Sequence, residues 1–212
     1  GQGTGKRMEF QNNTHIKMDN ISLDSNKLFE GIGCLDLEIV SCNFSATLDS
    51  EVVVFQNLSL LKFINPSIVN TNNQIKPEVH FYGDGGGVVI DNSSFKNMDI
   101  YPTINGTHLV ENCTFDNSYI WCHVKTFDSV IKYNNFINSE IQLNDYYSGE
   151  IYNNTFRTGM RGIHVFGADK IKNLTIIRDN SFSLCTHGIR LSYSRNYEIR
   201  GNTFSNCTSF AI

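Results

Sequence analysis

Basic residues are few and scattered: 17 Lys and Arg stand against 21 Asp and Glu, a net charge of −4 with a pI near 5.8. No stripe of cations is present to neutralise a phosphate backbone, so nucleic acid drops out as a partner. Long apolar runs are missing too. No segment reaches the length of a membrane span, and no charged n-region precedes an apolar h-region, so neither membrane insertion nor a signal peptide is expected. The six Cys contain no C-x-x-C and fit no zinc template. No Asp cluster has calcium-loop spacing. Neither a metal nor a cofactor is expected. Only three Pro occur, and charged residues make up 18% of the chain. Asn (26) and Phe (15) are in surplus instead. One domain is the default for this length, and a bias of this kind points to a repeat.

The repeat is apolar-x-x-Asn-x-Phe. It occurs as Ile131 to Phe136, Ile151 to Phe156, Ile177 to Phe182 and Ile199 to Phe204. Looser copies end at Phe44, Phe95 and Phe115, with Cys42, Ser93 and Cys113 in place of the Asn, and weaker echoes end at Ile21 and Phe63. The closing residue returns about every 21 positions, except for one long step from Phe63 to Phe95. No 3.6-residue apolar period is sustained, and the dense Leu framework of leucine-rich repeats is absent. Short β-branched and aromatic segments separated by Asn, Ser and Gly read as strands. The fold class expected is all-β: a right-handed, single-stranded parallel β-helix (solenoid) of about nine coils. Residues 1–13 lead into it, 14–212 form it, and a Gly-rich loop leaves it around 70–87. The Asn is expected at a left-handed corner, its amide bonding the equivalent amide on neighbouring coils, with the Phe stacked inside.

After each Phe comes another apolar strand: Ile100, Ile120-x-Cys122, Ile141-x-Leu143, Ile163-x-Val165 and Ile189-x-Leu191. Side chains alternate across a strand, so the next residue faces outward. That outward column reads Tyr101, Trp121, Gln142, His164 and Arg190. The position before each Ile adds Asp99, Tyr119 and Glu140, and the position three after it adds His123 and Asn144. Aromatic rings, amides, imidazoles and carboxylates on one face form a combination suited to sugar. Asp99 and Glu140 lie two coils apart, about 9.6 Å between backbones, nearer the spacing of an inverting than of a retaining glycosidase. Glu140 and His164, on neighbouring coils, make an acid/base pair, with Glu140 preferred as the acid or base. Arg161 and His187 read as solvated turn residues. Tyr82 to Gly87 looks like a phosphate loop only superficially, because no Lys-Ser/Thr and no helix follow. Cys185 and Cys207 fall at one offset on adjacent coils, where a reduced packing column is favoured over a disulfide.

The Asn-and-Phe copies followed by Gly-Ile-x-Leu resemble right-handed β-helix proteins of the pectate-lyase-like type, most like phage tailspikes and related polysaccharide-binding or polysaccharide-degrading proteins. The resemblance covers roughly residues 14–210. It implies a carbohydrate groove on the strand that follows the Phe. Tyr101, Tyr119, Trp121, His123, Gln142, Asn144 and Arg190 would bind substrate there, with Asp99, Glu140 and His164 as catalytic candidates. It also implies a polysaccharide partner, glycosidase or lyase chemistry, and a place on a virion tail or extracellular surface. Residues 1–5 supply no capping helix and Ile212 follows directly on the last coil, so a fragment, or a subunit of a trimer or larger assembly, is expected. The alternatives are a non-catalytic glycan-binding adhesin and a structural shaft.

Overall fold

The computed structural model describes residues 8–11, 15–24, 29–32, 36–46, 53–56, 60–71, 76–122, 128–143, 148–166, 174–192 and 195–209. Every regular element among them is a strand, and the strands join in one 23-stranded sheet paired in parallel. The pairing resolves into three columns, which the chain visits in turn. The first column passes through Met8–Gln11, Phe29–Ile32, Val53–Gln56, the starts of Glu78–Asp91 and Asp99–Glu111, then Tyr119–Cys122, Glu140–Leu143 and the ends of Thr155–Phe166 and Ser181–Ser192. The second passes through His15–Asp19, Asp36–Val40, Leu60–Ile64, the ends of Glu78–Asp91 and Asp99–Glu111, then Ser129–Lys132, Gly149–Tyr152, Thr175–Arg178 and Tyr197–Arg200. Ser22–Asp24, Asn43–Ala46, Ser67–Asn70, Ser94–Lys96, Thr114–Asp116, Asn135–Ile137, the starts of Thr155–Phe166 and Ser181–Ser192, and Thr203–Ser205 make the third. This is the parallel β-solenoid that the repeat predicts.

Inside the rod the repeat Phe form a continuous stack. Phe95, Phe115, Phe136, Phe156, Phe182 and Phe204 follow one another with centroids 4.7 to 5.3 Å apart and planes within about 10°. The Asn role divides between two neighbours. The left-handed backbone belongs to the residue before the ladder: Asn112, Tyr133, Asn153, Asp179 and Gly201 have φ between 54 and 64°. The ladder amide is the next residue. Asn154 Oδ1 accepts from both the backbone N (3.0 Å) and Nδ2 (2.9 Å) of Asn134, while Asn154 Nδ2 donates to Ile131 O and to Asn180 Oδ1. A corner that turns left and also satisfies its buried amides takes two residues, because one side chain cannot point outward at the turn and inward along the axis.

Register corrects two of the echoes. Phe63 pairs with Ile39 and Ile90 in the second column, whereas Ile68 is the residue in line with Phe44 and Phe95. Likewise Leu23, not Ile21, pairs with Phe44. With Ile68 in place of Phe63, the long step into Phe95 shortens and the step out of Phe44 lengthens, so the two become nearly equal. The Gly-rich segment expected as a loop is largely strand: Glu78–Asp91 runs through it, with a register shift between Asp84 and Gly87. At Gly87 (φ 110°) a Cβ would lie 1.9 Å from the Thr107 carbonyl oxygen, so the close approach of the next coil requires glycine. Cys42, Cys113, Cys122, Cys185 and Cys207 are free thiols.

Candidate functional site

The first column carries the outward face singled out in the sequence, and its register is the expected one. Asp99, Tyr119 and Glu140 are in line, as are Trp121, Gln142, His164 and Arg190. Their partners in alternation, Ile100, Ile120, Ile141, Ile163 and Ile189, are buried in the core. His123 and Asn144 lie outside the described residues.

The rungs extend further back than the sequence reading took them. Glu78 pairs with Asp99 and His80 with Tyr101. Glu78-Val-His80-Phe-Tyr82 repeats the acid, apolar, ring, apolar pattern of Asp99-Ile-Tyr101. That signal was there to be found, but reading residues 70–87 as a loop hid the strand it belongs to.

The carboxylates leave the wall of the rod yet are nearly covered; Glu140 is only 2% exposed. Arg161 is one cover, and it is part of this cluster rather than a solvated turn residue. Its Nε lies 3.2 Å from Glu140 Oε2, and its Nη1 lies 2.9 Å from His164 Nδ1. Gln142 Nε2 donates to the other oxygen, Glu140 Oε1. Lys76 is held above the middle rung, its Nζ 4.0 Å from the centre of the Tyr119 ring, and it acts electrostatically on both Asp99 and Glu140. Asp99 Oδ1 accepts the Tyr119 backbone N–H at 3.1 Å.

This burial moves the ionisations. Desolvation raises the Asp99 carboxyl to about 6 against the pull of Lys76, and raises Glu140 against Arg161 and the hydrogen bond from Gln142. Burial, with the positive charge of Arg161 and Arg190 added, brings His164 down to about 4. His164 is therefore neutral at pH 7, and because its Nδ1 accepts from the guanidinium its hydrogen sits on Nε2. Arg161 links Glu140 and His164, so these two are joined through a carboxylate–guanidinium–imidazole chain. Asp99 and Glu140 are thus both raised by burial, with Tyr119 on the coil between them and Lys76 above its ring.

The rings tell a different story from a sugar platform. His80 stacks on Tyr101 at 4.4 Å and Tyr101 on Trp121 at 5.4 Å, with planes within 17°. Tyr101 thereby meets a ring on each neighbouring coil, so its own faces are taken up along the rod. Among the described residues, no group of three or more His, Cys, Asp or Glu converges to hold a metal ion.

Comparison with known proteins gives one match. A family model described as periplasmic copper-binding protein (NosD) matches residues 103–212. No curated protein and no solved structure matches the chain. The matched segment holds Trp121, Glu140, Arg161, His164 and Arg190 and stops short of Asp99 and Tyr101. It covers just over half of the 212 residues, and the chain belongs to the NosD family.

Proposed function

We propose that the first column of this solenoid is a polysaccharide-binding face and that the protein works outside the cytoplasm, where such polymers are met. One observation carries the reading. Carboxylate, guanidinium, amide and aromatic groups stand in register on consecutive coils of one face, from Glu78 to Arg190. Coils repeat about every 4.8 Å, close to the length of one sugar residue in an extended chain, so a polymer laid along the rod meets a fresh set of polar groups at each residue. Ring edges and hydroxyl-seeking side chains, more than open aromatic faces, would make the contacts. The periplasmic placement in the family's description agrees with this location.

Cleavage is a second reading, favoured by the raised Asp99 and Glu140 carboxyls two coils apart. A carboxyl still protonated near pH 6 serves as general acid, and a spacing of about 9 to 10 Å leaves room for the water of an inverting hydrolysis.

Copper, in the family's description, calls for imidazole, thiolate or thioether donors. The described residues do not fit it. Both nitrogens of His80 are engaged by Glu78 and Tyr82, and His164 Nδ1 faces a guanidinium. The buried Cys113 and Cys122 thiols are pushed up to about 12 by desolvation.

A broad glycan array with the intact protein tests the reading. Arg190→Ala, an exposed change, should weaken retention of the bound glycan without shifting thermal unfolding. Glu140→Gln should keep retention and abolish reducing-end release where cleavage occurs. An array on which nothing is retained would leave the face as the wall of a structural shaft.

A further inference from the structure

On the coil before Asp99, three side chains of a single strand form a proton chain. Glu78 Oε2 lies 2.7 Å from His80 Nε2, and His80 Nδ1 lies 3.0 Å from Tyr82 Oη. Tyr101 Oη donates to the second oxygen, Glu78 Oε1, at 3.1 Å. In the Nε2–H tautomer His80 donates to the Glu78 carboxylate and its Nδ1 accepts the phenol hydrogen of Tyr82. The imidazole ring stacks on Tyr101 at 4.4 Å and lies parallel to the Tyr82 ring at 5.5 Å. Tyr82 itself is 41% exposed, on the same outward face as the proposed binding column.

We propose that Tyr82 is an activated phenol: a proton-accepting group whose base is His80 and whose orienting carboxylate is Glu78, serving a hydroxyl-bearing neutral saccharide on the first column. This rests on the polysaccharide reading above for its substrate. When a sugar hydroxyl hydrogen-bonds to the Tyr82 oxygen, the phenol hydrogen is drawn toward His80 Nδ1, whose own hydrogen faces the Glu78 carboxylate, so the sugar oxygen is polarised without a free alkoxide or any other reactant. The nearby charge selects the substrate class. Glu78 and Asp99 lie in register on neighbouring coils, so a uronate or sulfated sugar would meet two carboxylates on this face.

An arylsulfonyl fluoride tests the relay on the intact protein without any saccharide. The phenol oxygen bonds to sulfur, the S–F bond breaks and fluoride leaves, while the phenol proton goes to His80 and then to water. Tyr133, 52% exposed, is the internal control. Peptide mass spectrometry should show Tyr82 labelled at least about tenfold faster than Tyr133. His80→Gln should reduce it to the Tyr133 rate, and Tyr82→Phe should remove the label. Glu78→Gln, exposed and isosteric, should slow it about threefold or more, and decides the matter if His80→Gln does not fold. Equal rates at Tyr82 and Tyr133, or a folded Glu78→Gln protein labelled as fast as wild type, would overturn the relay. A blank glycan array would sink the binding face and not the relay, so the two failures are told apart.

Discussion

A carboxylate that leaves the wall of a solenoid ordinarily meets water and loses its proton near pH 4. Asp99 does not, because Lys76, Tyr119 and the adjoining coils keep water from it, and its carboxyl is raised from 3.8 to about 6. The sign of the consequence follows from proton binding. Between about pH 4 and 6 the folded protein holds more protons at this site than the unfolded chain does, so its contribution to stability declines as pH rises through that window and is level above it. Asp99→Asn keeps an oxygen for the Tyr119 N–H and removes the ionisation. Urea unfolding at closely spaced pH values should show wild type losing stability relative to Asp99→Asn from pH 4 to 6. A constant difference across that range would mean that Asp99 is not buried as described. The identity of Asp99 and Glu140 as a pair was legible in the sequence from alternation alone. Their coverage was not, since Arg161 reaches Glu140 from the strand segment before Ile163, and no periodicity in one dimension encodes how far a guanidinium bends back.

At the scale of the element, the strand after each Phe is not uniform. In the middle coils the position before the inward Ile carries Asp99, Tyr119 and Glu140, whereas the later ones have Gly162 and Gly188 there. The reason is the continuous course of Thr155–Phe166 and Ser181–Ser192 through the corner, which brings the backbone onto the Phe stack. A Cβ on Gly188 would lie 2.4 Å from Phe204 Cε1 and 3.3 Å from Phe182 Cγ. These rings are stacked at 4.9 Å, so the partly buried Phe204 would have to shift off Phe182 to make room. Gly188→Ala should therefore cost about 1–3 kcal/mol through overpacking, read as a lower urea midpoint with an unchanged slope. Sequence reading handled the elements well wherever the Asn and Phe were both present, from Phe136 onward. It slipped at Phe63 because an aromatic ring in the second column has the same composition signal as one in the third. Only Ile68, which bears no Phe, marks the true register there. The Gly83–Gly87 run misled for a related reason: glycine punctuates turns, but here it permits two coils to approach within a strand.

The whole molecule is a stack in which each coil touches its neighbours in sequence order, and the proposed site inherits that property. Glu78, Asp99, Tyr119 and Glu140 come from four consecutive coils, with Arg161 from the next, so the site exists only while those coils stay in register. In such an array stability is close to a sum of local terms and nearest-neighbour interfaces. A cavity in one coil should then be felt mainly beside it. Phe136 lies between Phe115 at 4.8 Å and Phe156 at 4.7 Å, inside the coil that leads into Glu140. Phe136→Ala should cost about 3–5 kcal/mol, and hydrogen exchange should place the lost protection unevenly. Amides of Thr114–Asp116, Glu140–Leu143 and Thr155–Arg157 would open first, while Asp36–Val40 keeps its protection. Because Glu140 hangs on the affected coil, its ion pair with Arg161 would loosen along with it, and any glycan retention would fall with the same variant. Uniform loss of protection from Asp36 to Arg200 would show instead that the solenoid unfolds as one cooperative body, so that the site cannot be loosened without unfolding the rod.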